Sequence, residues 1–344
     1  MRRLRSLLKH LGDTRAQPRS NAADHPPDHV CLVCGDHRWC SVRQAKDWYR
    51  PESQAIYKLA RCLSCGLVVQ QPLPTESELR AAYDVPYVVF RPAWKTPGWP
   101  LWKVLRTLTV ARRIWRLRRY ARDRKLLDVG CGAADFLLGA HRAGWQVQAV
   151  EYTSRMAEDL RSELGFDVRT GKLVPGLWAE GEFDVITFWD VLEHISDPLA
   201  AMTLAADYLR ARGVVLVSIP TDNAVEHGRR FGRWWALLDL PRHLYFFNQT
   251  TLSRLCDRAG LELVQYKTPL LDTLWCYFAS SWRYASQRSG IVGRWGRLAG
   301  WTIAIVFTLP YLAARSWRRR GLIAVAVAVR REMPRGHEGE AKPA

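Results

Sequence analysis

Short apolar runs alternate with longer mixed segments through the central part of the chain. Four runs rich in Val, Ile and Leu follow one another, separated by helical or loop segments of about 10–25 residues. They are KLLDVGCG, WQVQAVEYT, FDVITFWDV and GVVLVSIP. This alternation predicts a mainly parallel, doubly wound sheet of the α/β class. Two later apolar runs, 261–268 and 322–331, predict further strands of the same sheet.

Two basic amphipathic segments precede the sheet pattern. Residues 2–11 place four leucines on one helical face among Arg and Lys, and residues 12–29 have the polar, Pro-rich composition of a linker. Residues 101–124 predict a helix that carries nine Lys/Arg and one Asp around an apolar face. Such a helix either packs on the next domain with its charges in solvent or faces a membrane or a substrate. The sequence leaves both roles open.

The segment 273–321, between the last two predicted strands, contains five tryptophans, and Asp and Glu are absent from 273–331. Its apolar run, 298–314, would span about 25 Å as a helix, less than the ~30 Å of a hydrocarbon core. If the chain returns to the same sheet at 322–331, a single membrane crossing is excluded. We therefore expect a re-entrant or interfacial hairpin, with a helical lid or a dimer contact as the alternative.

Charge is distributed unevenly along the chain. The 344 residues are 48% hydrophobic and carry a net charge of +18, which divides into +15 for 1–125, −6 for 126–272 and +9 for 273–344. An acidic body between basic flanks argues against a nucleic-acid partner and favours flanks that face an anionic membrane surface. No secretory signal opens the chain. Cysteines that bind zinc or stay unpaired indicate a reducing compartment, so we expect a cytoplasmic protein.

Four of the eight cysteines form two C-x-x-C-G pairs separated by 27 residues. A tight turn brings two thiolates to one metal, and the glycine permits the positive φ that such a turn needs. The spacing therefore predicts one tetrahedral Zn²⁺ site. His37 or Cys40 could replace a ligand, and two disulfides or two redox motifs are the alternatives. The four predicted ligands are Cys31, Cys34, Cys62 and Cys65.

The end of the first strand carries a candidate cofactor site. Asp128 precedes a turn containing Gly130 and Gly132, and the second strand ends in Glu151. Asp135, at the position of the third glycine of a dinucleotide motif, would repel a pyrophosphate. Asp128 suits a cationic group instead, and Glu151 can accept two hydrogen bonds from a ribose diol. S-adenosylmethionine (SAM), which has a ribose and a cationic tail but no phosphate, meets these requirements.

At these residues the chain resembles the class I SAM-dependent methyltransferases. Residues 183–195 resemble the fourth-strand motif of that family, 215–223 its fifth-strand motif, and 241–247 its later P-x-H-L-x-x-F segment. The C-x-x-C-G pairs resemble the zinc-ribbon extension of members that act on sugars or glycan precursors. One departure is the segment 171–181, which lacks the acid that often contacts adenine N6.

The resemblance implies a seven-stranded Rossmann-like methyltransferase fold with a small zinc module. The implied organisation is a basic start and linker at 1–29, the zinc module at 30–90, a connecting basic helix at 91–124, and the methyltransferase domain at 125–335 with an insertion at about 273–321. The implied SAM-binding residues are Asp128, Gly130 and Gly132 around the methionine part, Glu151 at the ribose, and Asp190 and Val191 beneath the sulfonium and adenosine.

Methyl transfer from a sulfonium requires mainly that the enzyme position the acceptor and remove its proton. His243 follows the fifth strand and is the first candidate base, and His194 follows the fourth strand and is the second. The alternative for either histidine is a structural role, in which the imidazole bonds to backbone carbonyls. Asp190-Val-Leu-Glu193 differs from the Asn/Asp-Pro-Pro-aromatic motif used on exocyclic amines of bases, which weighs against a nucleic-acid acceptor.

The sequence thus predicts a methyltransferase on the inner face of the membrane. The acceptor would be a hydroxyl or carbon of a sugar or lipid-linked glycan precursor. The alternatives are an O-methyltransferase of a quinone-like or lipid ring, an RNA-binding zinc-module protein, and a cofactor-binding scaffold without catalysis. The methylated atom and the oligomeric state stay open at this stage.

Overall fold

The computed structural model describes most of the chain between residues 30 and 331. The predicted start and linker (1–29) and nearly all of the predicted insertion (273–321) lie outside the described residues. The described ranges are 30–47, 49–50, 52–83, 100–120, 122–228, 235, 237–272, 274, 313–314, 316–318 and 320–331. Among them, no helix combines the length and the hydrophobicity needed to cross a bilayer.

The described chain begins with a small antiparallel sheet that the two cysteine pairs flank. Its strands are β1 (Trp39–Ala45), β2 (Tyr57–Cys62) and β3 (Val68–Gln71). One cysteine pair lies in the turn before β1 and the other in the turn from β2 to β3. Helix α1 (Glu76–Tyr83) follows, and Thr75 and Glu78 exchange hydrogen bonds at its start, which is the capping-box arrangement.

The basic helix is α2 (Pro100–Leu117), so it ends earlier than the predicted 124. Leu117 is its last buried residue, and only a short turn separates it from the first strand of the large sheet. One face of α2 packs on helix α3 (Asp135–Arg142). A Cβ added to Gly139 of α3 would lie 2.6 Å from Cδ1 of Ile114, so only glycine permits this close approach.

Seven strands form the large sheet, and this confirms the predicted doubly wound, mainly parallel fold. In spatial order the strands are β10 (Leu261–Lys267), β11 (Ile323–Arg330), β8 (Leu209–Pro220), β7 (Phe183–Trp189), β4 (Lys125–Val129), β5 (Gln146–Glu151) and β6 (Asp167–Thr170). Strand β11 pairs antiparallel with β8 and β10, and the other neighbours are parallel. The central strands β7 and β8 have long apolar runs because both of their faces are covered.

Helices cover both faces of this sheet. The remaining ones are α4 (Ser154–Leu164), α5 (Pro198–Tyr208), α6 (Asp222–His227) and α7 (Gln249–Arg258). On one face, Leu117 of α2 and Phe136 of α3 share a core cluster with Trp189 and Val325 of the sheet. On the other, side chains of α5 and α7 share a cluster with the cysteine-bearing turns.

The small sheet is continuous with a strand from the C-terminal half of the chain. Strand β9 (Tyr245–Phe246) pairs antiparallel with β3, in the register Val68 to Phe246 and Val69 to Tyr245. Strand β9 begins two residues after the predicted base, His243. Strand β3, which follows the second cysteine-bearing turn, is therefore joined by backbone hydrogen bonds to the segment that carries the candidate base.

Candidate active site

The carboxyl ends of β4, β5 and β7 bring the predicted cofactor residues to one edge of the sheet. Asp128 of β4 is buried, and its Oδ1 accepts a hydrogen bond of 2.6 Å from Oγ1 of Thr187 in β7. Burial raises the pKa of Asp128 to about 7, and the Thr187 hydrogen bond opposes that rise. A cation beside this carboxyl would favour its ionised form, so Asp128 suits a positively charged ligand.

The turn after β4 contains two glycines, Gly130 and Gly132, whose surroundings differ. Gly130 has a φ of +70°, and a Cβ there would lie 2.7 Å from Cγ2 of Val191. Gly132 has a φ of +49°, and no atom lies within 4 Å of where its Cβ would stand. Gly130 therefore lets Val191 pack against the turn, whereas Gly132 faces open space at the start of α3.

Glu151, at the end of β5, is buried and held by the backbone. Its Oε2 accepts a hydrogen bond from the amide of Gly132 and its Oε1 accepts one from the amide of Thr153, both at 2.9 Å. A carboxylate offers about four acceptor positions, so about two remain for a ribose diol. Burial raises the pKa of Glu151, and these amide hydrogen bonds oppose the rise.

Asp190 makes an ion pair that the sequence analysis did not predict. Its Oδ2 lies 2.7 Å from Nη2 of Arg113, and its Oδ1 accepts a hydrogen bond of 2.7 Å from Ser218. The Arg113 guanidinium also lies over the ring of Trp189, 4.5 Å from the centroid. Arg113 of α2 therefore holds the turn that follows β7, where the predicted cofactor residues Asp190 and Val191 lie.

A second arginine of α2, Arg106, pairs with Asp135 at the start of α3. Arg106 and Arg113 are seven residues apart and so lie on the same helical face. That spacing was the sequence signal for these contacts, but it does not identify the partners.

The two candidate bases lie together, with ring centroids 4.6 Å apart. Nδ1 of His243 donates a hydrogen bond of 2.8 Å to the carbonyl of Leu237, which leaves Nε2 as the acceptor nitrogen. Nδ1 of His194 lies 2.9 Å from the Tyr83 hydroxyl and 3.0 Å from the carbonyl oxygen of Arg242. Both imidazoles are therefore oriented by fixed partners.

Burial sets the protonation of this histidine pair. It lowers the pKa of His194 to about 3 and also lowers the pKa of His243. Both rings are therefore neutral near pH 7, which is the form that accepts a proton. Glu193 lies beside them, with Oε1 3.9 Å from Nε2 of His243, and burial raises its pKa well above the usual range.

The carboxyl group of Glu193 is only partly satisfied by hydrogen bonds. Among the described residues, its Oε2 has no hydrogen-bond partner although it is buried. One donor atom from each of Glu193, His194 and His243 lies within 4.8 Å of the others. The cluster is thus compact enough to share a proton or a cation.

The four predicted zinc ligands form a second compact cluster. The Sγ atoms of Cys31 and Cys65 are 3.6 Å apart, those of Cys34 and Cys62 are 3.5 Å apart, and all four lie within 4.8 Å of one another. Four sulfurs at ~2.3 Å from a tetrahedral zinc would be about 3.8 Å apart. The four are free thiols and fit such an ion, and within the described part of the chain neither His37 nor Cys40 joins them.

Comparison with known proteins gives a family match across this site. A family model described as a methyltransferase domain matches residues 105–266. The ubiquinone biosynthesis O-methyltransferase of Aromatoleum aromaticum is 27% identical over 156 residues, covering 41% of this chain and 65% of that protein. The protein of the same name from Xanthomonas campestris pv. campestris is 34% identical over 101 residues, covering 27% of this chain and 42% of that protein. The chain spans just under two thirds of the length of the first of these relatives.

The chain also matches solved structures of methyltransferases at low sequence identity. A putative sarcosine dimethylglycine methyltransferase from Galdieria sulphuraria is 15% identical, with a TM-score of 0.44, and the match covers 66% of this chain and 86% of that one.

Proposed function

Through residues 105–266 this chain belongs to the class I SAM-dependent methyltransferases, and we propose that it transfers the methyl group of SAM to a hydroxyl of a sugar or lipid-linked glycan precursor. One observation carries the proposal. Asp128 and Glu151 have the charge and free acceptor positions that SAM needs, and a neutral His243 lies beside the end of β7, the neighbour of β4.

The contacts around His243 support its role as the base. The amide of Leu244 donates a hydrogen bond of 2.8 Å to the carbonyl of Glu193, so the loop carrying His243 is held against the turn that follows β7. Asp190 and Val191 begin that same turn. In the proposed reaction, an acceptor hydroxyl between this turn and the cofactor must reach Nε2 of His243, which lies 3.9 Å from Oε1 of Glu193.

The residues have separate tasks in the proposed reaction. SAM supplies an activated methyl group when bound. Glu151 orients the ribose, Asp128 faces the positive end of the cofactor, and Nε2 of His243 takes the acceptor proton as the oxygen attacks. The proton then stays on Nε2 of His243, and Oε1 of Glu193 lies 3.9 Å from that atom.

Zn²⁺ is the proposed metal of the cysteine cluster, because four thiols at this spacing suit a tetrahedral, thiolate-binding ion. Its role would be structural, since four protein ligands leave no open position. Metal analysis of the purified protein should give about one zinc per chain.

An O-methyltransferase of a quinone-like ring is the second candidate. It is favoured by the names of the curated relatives, the ubiquinone biosynthesis O-methyltransferases. The cysteine-bearing module favours the sugar acceptor, by resemblance to the extension described above. RNA binding has less support, because the body between the basic flanks is acidic.

Transfer of labelled methyl from SAM to a panel of acceptors tests the proposal. The panel holds lipid-linked sugars, free sugar nucleotides, and polyprenylated catechols, each with a matched acceptor whose hydroxyl is already methylated. Label in the sugar nucleotides or the lipid-linked sugars supports the first candidate, and label in the catechols alone supports the second. Absence of SAM binding in calorimetry would refute both.

A further inference from the structure

A basic cleft opens between α2 and the paired strands β10 and β11, and the cofactor residues do not line it. Its cavity volume is about 310 Å³. Four cations and two aromatic rings contribute to its wall, and none of the described side chains that line it is acidic. These six residues are Arg112, Arg116, Arg119, Lys267, Trp115 and Tyr120.

The arginines of α2 divide into two groups by helical face. Arg106 pairs with Asp135 at the start of α3, and Arg113 pairs with Asp190 in the turn after β7.

Arg112 and Arg116 are four residues apart and lie on another face of α2. Arg119 lies in the turn that follows the helix, and all three line the cleft. Within the described part of the chain these three make no salt bridge. Burial lowers the pKa of Arg116, and the buried Asp272 opposes that shift, so an external anion would add to the one acidic group that acts on this face.

An apolar stripe runs along α2 beside these arginines. Val104, Leu108 and Trp115 are spaced by four and seven residues, which places them on one side of the helix. Their exposed fractions are 51%, 48% and 54%. An exposed apolar stripe bordered by arginines is the pattern of a helix that lies in a membrane interface.

A further tryptophan lies close to the same cleft. Thr268 directly follows Lys267, and its Oγ1 donates a hydrogen bond of 3.1 Å to the carbonyl of Ser316. The next residue, Trp317, is 90% exposed. Indole rings at this level of exposure are typical of the interface between lipid headgroups and acyl chains.

We propose that α2 docks the protein on an anionic phospholipid bilayer, with lipid phosphates in the cleft and the apolar stripe among the acyl chains. Charge complementarity favours this partner, because the cleft is lined by cations and the adjacent stripe is apolar. The proposal does not depend on the acceptor or on catalysis.

Strand direction gives the docking a consequence for substrate access. Strand β11 is antiparallel to both β8 and β10, so β10 and β8 run in the same direction. Lys267, at the end of β10, therefore lies at the same edge of the sheet as Glu151 and Asp190. A bilayer held at the cleft would lie beside this edge, where a lipid-linked acceptor would enter under the proposed function.

Flotation of the full chain with vesicles tests the docking surface. The parent should float with phosphatidylcholine vesicles that contain phosphatidylglycerol. It should bind phosphatidylcholine alone only as weakly as it binds the anionic vesicles at high salt. The triple variant R112Q/R116Q/R119Q should bind the anionic vesicles roughly 100-fold more weakly, since each Arg near such a surface contributes about fivefold. A second variant, Leu108→Ser, should weaken the binding that persists at high salt.

A matched control removes the same charge elsewhere. R142Q/R155Q/R254Q changes three exposed arginines on α3, α4 and α7, and it should float like the parent. Equal loss in both triple variants, or no loss in the α2 variant, would overturn the proposal.

A second arm separates the bilayer from a small phosphate ligand. Inorganic pyrophosphate at constant ionic strength should not displace the protein from vesicles. Displacement by pyrophosphate, together with its tight binding in calorimetry, would assign the cleft to a soluble anion instead. SAM affinity, measured on the same samples, should be equal in all variants, so failure of the docking and failure of the proposed function are distinguished.

Discussion

Arg242 and Asp47 form a buried bidentate ion pair although 194 residues separate them in the chain. Nη2 of Arg242 lies 2.6 Å from Oδ1 of Asp47, and Nη1 lies 3.2 Å from Oδ2. Arg242 also contacts Asp239 and the carbonyl of Ala82. Asp47 follows β1 of the cysteine-bearing module, and Arg242 precedes His243. The pair therefore fastens the module to the loop of the candidate base.

Asp47→Asn should destabilise the protein. Removing one partner of a buried ion pair leaves the other charge uncompensated, at a cost of about 3–5 kcal/mol. Because Asp239 stays beside Arg242, we expect the lower end of that range in urea unfolding. Asp257→Asn is the control: it breaks the exposed pair with Arg331 and should cost about 0–1 kcal/mol. Equal effects of the two substitutions would argue against the fastening role.

Loss of the cysteine cluster should impair turnover more than SAM binding. Strand β3 pairs with β9 next to His243, whereas the predicted SAM residues lie on β4, β5 and the turn after β7. Cys65→Ser should therefore lower zinc content and kcat while the Kd for SAM changes little. Cys40→Ser, outside the cluster, should leave all three unchanged. A variant without zinc that keeps full kcat would contradict this coupling.

Glu151→Gln should weaken SAM binding by about 1–3 kcal/mol in calorimetry, because the amide offers the ribose diol fewer acceptor positions. Glu158→Gln, on the exposed side of α4, is the matched control and should bind SAM like the parent. Unchanged affinity in Glu151→Gln would remove this residue from the site.

Asp128→Asn should change the pH dependence of stability in the absence of SAM. The pKa of Asp128 is about 7 in the folded state and about 3.9 when unfolded. The folded state thus binds the extra proton between these values, so this group lowers stability as the pH rises from about 4 to about 7. The variant lacks that loss and should gain stability over the parent at pH 8 but not at pH 4. Parallel unfolding profiles for the two proteins would contradict it.

His243→Ala should lower kcat by about 10²–10⁴-fold with SAM affinity nearly unchanged. Because burial lowers the pKa of His243, the parent should keep its kcat as the pH falls through the usual histidine range near 6.5. A larger loss in His194→Ala than in His243→Ala would reverse the assignment of the base.

Local patterns in the sequence determined the strands and the individual candidate residues. The apolar runs of β4, β5, β7 and β8 are continuous because both sheet faces are buried, and that property is visible without knowing the neighbours. The C-x-x-C-G turns likewise bring each pair of thiols together within five residues. The roles of Asp128 and Glu151 in SAM binding remain predictions. Their position at the same edge of the sheet could be predicted, because each lies at the carboxyl end of one of two successive parallel strands.

Tertiary structure alone decided which distant charges meet. Arg113 pairs with Asp190 and Arg242 with Asp47, and neither partner is marked by its own neighbours in the chain. The pairing of β3 with β9 is of the same kind, because a two-residue strand has no pattern of its own. The local sequence around an acidic residue does not show whether that residue will be buried or which basic residue will pair with it. Both are decided by the distant segments that pack against it once the chain has folded.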